Sequence, residues 1–128
     1  MPDNKNKLIL IVEDEQDIIT YLTTIFEDAG YRVETATNGI DALRKIKKYK
    51  PDLISLDIAL PEKTGMNIYL EIKKNTALSS IPVVIISGMQ KDIQHIFEEK
   101  DNLPPPNGYI NKPFCVEELK TIVGEIIK

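Results

Sequence analysis

Three short apolar runs containing β-branched residues, Leu8–Val12 (LILIV), Leu53–Leu56 (LISL) and Val83–Ile86 (VVII), limit the possible folds of this chain more than any other feature. Near-continuous apolar runs of this length fit strands covered on both faces, as parallel strands are, although periodicity alone also admits short buried helices. What lies between them favours the strands. Ile18, Ile19, Leu22, Ile25, Phe26 and Ala29 follow the three and four spacing of one helix face, and Gly30 stands where a C-terminal stop belongs. Residues 32–37 carry Val33 and Ala36 among polar neighbours and read as a strand nearer a sheet edge. Asn38 then caps a helix bearing Ile40, Leu43 and Ile46, with Pro51 beyond its end.

A third helix is expected over 66–74, a fourth over 91–100, a fifth strand over Tyr109–Asn111, and a closing amphipathic helix over 116–127. Five strands alternating with five helices in 128 residues imply a parallel α/β sheet with helices on both faces and right-handed crossovers. The length suits one domain, 1–128, and a hydrophobic content of 42% supplies its core. A net charge of -4 without a basic cluster argues against a direct nucleic-acid reader. With a single cysteine, Cys115, no internal disulfide forms, and the N-terminal apolar run is too short for a signal segment or a membrane span. The expected location is the cytoplasm.

In a doubly wound sheet the site lies at the carboxyl ends of the strands where the winding reverses, between the first and third strands in the usual five-stranded order. The first strand runs into Glu13-Asp14-Glu15 and the third into Asp57. Acids converging there repel one another unless a cation compensates, and oxygen donors favour Mg2+. One His and one Cys leave no zinc set. The plainer reading of Glu13–Glu15 is a solvated first helix turn, where acids complement the helix dipole. Ser87 and Lys112 follow the fourth and fifth strands. Singly they read as a turn serine and a surface lysine; jointly with the acids they form the set needed to accept a phosphoryl group.

These residues resemble the receiver domain of two-component response regulators. The resemblance covers essentially the whole chain and rests on Glu13-Asp14, on Asp57 within DIALPEKTG, on IPVVIISG with Ser87, and on YINKPF with Lys112 and Pro113. It implies a flavodoxin-like (βα)5 fold of strand order 2-1-3-4-5. It also implies that Asp57 takes a phosphoryl group from a sensor histidine kinase or phosphotransfer protein. Asp14 and Asp57 would bind Mg2+ directly, Glu13 through water and Ala59 through its carbonyl. Ser87 and Lys112 would contact the phosphoryl group. Tyr109 would act with Ser87 as the switch, and output would leave through the fourth helix, fifth strand and fifth helix, toward a downstream protein or a second copy. Such a domain catalyses its own phosphorylation and later hydrolysis, and Lys112-Pro113 would be cis.

Against this pattern, Gly88 follows Ser87 where alanine is common, and the stretch 100–108 is longer and carries three prolines. Cys115 is expected as a small buried residue and His95 as a surface helix residue. Two other functions compete: a degenerate receiver serving only as an interaction module, and an aspartyl-nucleophile phosphatase. The phosphatase would need a second acid at the position of Ala59. A flavodoxin-like cofactor binder would need a phosphate-binding loop where the acids stand.

Overall fold

Residues 7–57, 65–87, 105–112 and 114–127 are described by the computed structural model. They form a five-stranded sheet in the order β2-β1-β3-β4-β5, with every pair parallel. The strands are β1 (Leu8–Val12), β2 (Arg32–Ala36), β3 (Leu53–Asp57), β4 (Val83–Ser87) and β5 (Gly108–Asn111). Among the described residues the helices are α1 (Gln16–Asp28), α2 (Gly39–Tyr49), α3 (Gly65–Lys74) and α4 (Val116–Ile126), the last being the closing helix. The helix expected over 91–100, with His95, lies outside the described residues, as does the Pro113 of the expected cis bond.

The apolar runs are buried for the reason their composition implied. All of β1 and β3 is buried, whereas the edge strand β2 buries only Ala36 fully. Alternate residues serve opposite layers. Leu10, Val12, Ile54, Leu56, Val83 and Ile85 pack with Ala42 and Ile46 of α2 and Ile68, Tyr69 and Ile72 of α3. Ile9, Ile11, Leu53, Val84 and Ile86 pack with Leu22, Ile25 and Phe26 of α1 and Leu119 and Val123 of α4.

The helix ends follow local chemistry. At the end of α1, Gly30 adopts φ 97°, and the Gly30 and Tyr31 N–H groups donate to the carbonyls of Glu27 and Phe26, both at 3.0 Å. This paired closure needs a left-handed residue, and the Phe26 and Tyr31 rings meet edge to face behind it, 6.4 Å apart. Asn38 Oδ1 accepts from the Asp41 N–H at 2.9 Å at the head of α2, as its position predicted. Lys50 closes α2 at φ 47°, an unusual conformation for a side chain of this kind.

One expectation is corrected. Cys115 is exposed rather than buried, because it occupies the N-cap of α4 with extended backbone, outside the apolar stripe that begins with Val116; its side chain makes no capping hydrogen bond.

Candidate functional site

The carboxyl ends of β1 and β3 are adjacent because Val12 pairs with Leu56, so Glu13 and Asp57 leave or end neighbouring strands side by side. The Glu13 N–H extends the ladder by donating to the Ala36 carbonyl at 3.0 Å, which keeps its side chain at the sheet's end rather than in a helix turn. Glu13 is 1% exposed and Asp57 5%, while Asp14 is exposed. One carboxylate oxygen from each of these three residues lies within 4.8 Å of the others. Of the acids Glu13–Glu15, only Glu15 stands at the terminus of α1, where it is the N-cap residue.

Lys112, just beyond β5, reaches across this cluster. Its Nζ lies 3.0 Å from Glu13 Oε1, 3.5 Å from Asp57 Oδ2 and 3.8 Å from Glu15 Oε1. One ammonium therefore serves three carboxylates. Burial, joined by repulsion from Asp57, pushes the Glu13 carboxyl up to about 7 despite its hydrogen bond from Lys112. Burial alone would lower the Lys112 ammonium, but the hydrogen bond to Glu13 and the charges of Asp57, Glu13 and Glu15 outweigh it and hold the group above its ordinary value. The pocket is thus short of positive charge. Three hard oxygen donors in such a space, with no nitrogen or sulfur ligand among them, fit a divalent cation of the Mg2+ type.

Of the other residues singled out in the sequence, Ser87 ends β4 with its backbone in register with Asn111. Ala59 and the Ser87 side chain lie outside the described residues. Tyr109, on β5, is half-buried and packs against the layer of α2 and α3, near enough to Tyr69 that its charge adds to burial in raising the Tyr69 hydroxyl. Glu15 was legible as one of the acids after the first strand or as a helix-start acid; its approach to Lys112 depends on bringing β5 beside the other strands, which no local pattern signals. Among the described residues, no helix is long and apolar enough to cross a membrane.

A doubly wound sheet with an acid cluster and a lysine at its winding reversal defines a class of α/β proteins whose site is built from strand ends. Within that class the chain belongs to the response regulator receiver domain family, whose model matches residues 9–124. It is 40% identical over 118 residues to the transcriptional regulatory protein KdpE of Staphylococcus aureus, covering 92% of this chain and 48% of that protein. It is 31% identical over 125 residues to the polar-differentiation response regulator DivK of Brucella anthropi, covering 93% of this chain and 98% of DivK. The chain thus spans about half the length of several curated relatives and nearly all of DivK. A similar solved structure is the receiver domain of the sensor histidine kinase PA1611 from Pseudomonas aeruginosa, with TM-score 0.82, 28% identity, and coverage of 94% of this chain and 97% of that one; it holds a magnesium ion in its active-site cleft.

Proposed function

We propose that this chain, read as one receiver domain over 1–128, is a phosphoryl acceptor in two-component signalling, with Asp57 as the acceptor residue. The single observation that carries the reading is the meeting of the Glu13, Asp14 and Asp57 oxygens within 4.8 Å beneath one lysine. An Asp57 carboxylate oxygen attacks the phosphorus of a phosphohistidine on a sensor kinase or phosphotransfer protein. The phosphorus–nitrogen bond breaks, the imidazole leaves and takes up a proton, and an acyl phosphate remains on Asp57.

Glu13, Asp14 and Asp57, joined by the Ala59 carbonyl, would hold Mg2+, which supplies neutralisation of the charge on the transferring oxygens. Lys112 already stands 3.5 Å from Asp57 and pairs with a phosphoryl oxygen. The Ser87 hydroxyl donates to a second oxygen. Ser87 drawn inward leaves room for Tyr109, already half-buried, to settle further onto the layer beside Tyr69. The altered surface would include β5 and α4, and a downstream protein or a second copy would bind there.

The test is intact-mass analysis after incubation with acetyl phosphate. Mg2+-dependent gain of one phosphoryl group, stable to acid and removed by hydroxylamine, is expected. Gain that is unaffected by chelation of the metal, or resistant to hydroxylamine, rules this chemistry out. With no tryptophan in the chain, indole quenching offers no readout.

A further inference from the structure

Glu15 is used by none of the roles above, yet it is the third carboxylate on Lys112. It precedes α1 in the N-cap position with extended backbone, φ -85° and ψ 116°, and its side chain makes no capping hydrogen bond. Its Oε1 lies 3.8 Å from Lys112 Nζ, and the side chain is 64% exposed. The other two partners of that ammonium, Glu13 and Asp57, are buried members of the metal-type cluster, which Glu15 does not join. A cation held by the cluster would compete with Lys112 for those two carboxylates, and Glu15, outside the cluster, would remain as its partner.

We propose that Glu15 sets which phosphoryl donors the site accepts, by holding Lys112 at the pocket mouth and disfavouring small donors of high negative charge. The inference rests on Asp57 being the phosphoryl acceptor. Two effects act in the same direction. Lys112 pairs with an incoming phosphoryl oxygen only by loosening its hold on Glu15, and the Glu15 charge, set in solvent at the mouth, repels an approaching dianion. Repulsion at an exposed position falls with salt and scales with donor charge. A purely structural role for Glu15 would follow neither.

The test compares autophosphorylation of the full chain by acetyl phosphate, a dianion near neutral pH, and by phosphoramidate, which carries less negative charge. The chains are wild type, Glu15→Gln, Glu15→Asp and the remote surface control Glu125→Gln. Glu15→Gln is expected to raise the acetyl phosphate rate about two- to fivefold at low ionic strength, the range of an exposed charge interaction. The phosphoramidate rate rises less, the gain disappears at high salt, and Glu15→Asp stays nearer wild type. Without metal or donor, the ammonium NMR signal of Lys112 shifts in Glu15→Gln and not in Glu125→Gln.

An unchanged donor ratio and salt slope in Glu15→Gln, with the wild type phosphorylating normally, overturns the inference. So does a Lys112 signal indifferent to the substitution. A wild-type chain that takes no phosphoryl group from either donor overturns the acceptor reading itself, a failure recognised before any variant is compared.

Discussion

Two aspartates mark the ends of β3, Asp52 just before it and Asp57 as its last residue, and they share a side chain but not a set of partners. Asp52, just before the strand, accepts the Leu8 N–H through Oδ2 at 2.7 Å while its own N–H donates to the Leu8 carbonyl at 2.8 Å. Asn107 repeats the device before β5: its Oδ1 accepts from the Val83 N–H at 3.0 Å and its N–H donates to the Val83 carbonyl at 2.8 Å. At that end of the sheet each polar side chain closes one strand onto its neighbour. At the other end, Asp57 faces Glu13, Asp14 and a shared lysine. Acids there meet acids, and the arrangement is complete only when more positive charge arrives. The partner set, and not the residue type, separates an aspartate that holds the sheet from the proposed phosphoryl acceptor.

The largest effect on stability is expected where the carboxylates lose their lysine. Lys112→Ala leaves Glu13, 1% exposed, without its ion pair. Discounted for an ammonium that is itself 20% exposed, the cost is about 2 kcal/mol by denaturant titration without metal. Stability equal to wild type would show that the charge shortage at this end is not real. Asp52→Ala orphans the Leu8 N–H and is expected to cost about 1–2 kcal/mol while leaving phosphorylation intact. Loss of phosphorylation in a folded Asp52→Ala would erase the contrast between the two ends.

Smaller effects sharpen the contrast at positions belonging to neither aspartate. Lys50→Gly relieves a left-handed residue at the end of α2, and Cys115→Ser supplies α4 with a cap; each is expected to stabilise by about 0.5–1 kcal/mol. Thermal unfolding checks both, and a decrease in either contradicts the local account.

The smallest concerns Asp41. Its hydrogen bond from Arg44, aided by the Lys45 and Arg44 charges against a burial penalty, holds its carboxyl below the ordinary value. A carboxyl lowered on folding stabilises the fold at pH values above its unfolded pKa, and that contribution is lost as pH falls through the folded value. For this solvent-facing pair it amounts to about 0.3 kcal/mol. Asp41→Asn should flatten the stability profile below pH 4 by that amount; an unchanged slope would show that the pairing does not survive in solution.

Sequence patterns reveal the sheet more readily than the site. The strand runs, the Gly30 stop and the Asn38 cap depend on neighbours within a few residues, so they can be read along the chain. The parallel order follows from alternation with helices. The identities of Glu13, Asp14, Asp57 and Lys112 were likewise legible through their places at strand ends. Their electrostatics were not, because the raised Glu13 carboxyl and the threefold sharing of Lys112 exist only once β1, β3 and β5 lie in one sheet. Cys115 was misread for a related reason: small apolar character suggests burial, but the N-cap position decides exposure.

The proposed acceptor stands at one end of β3 only. The most direct test is Mg2+-dependent phosphorylation of Asp57→Asn and Asp52→Asn beside the wild type, read by intact mass with folding verified for each. The wild type and Asp52→Asn are predicted to gain one phosphoryl group and Asp57→Asn none, since an amide is not a nucleophile here. Equal incorporation in Asp57→Asn would exclude Asp57 as the acceptor.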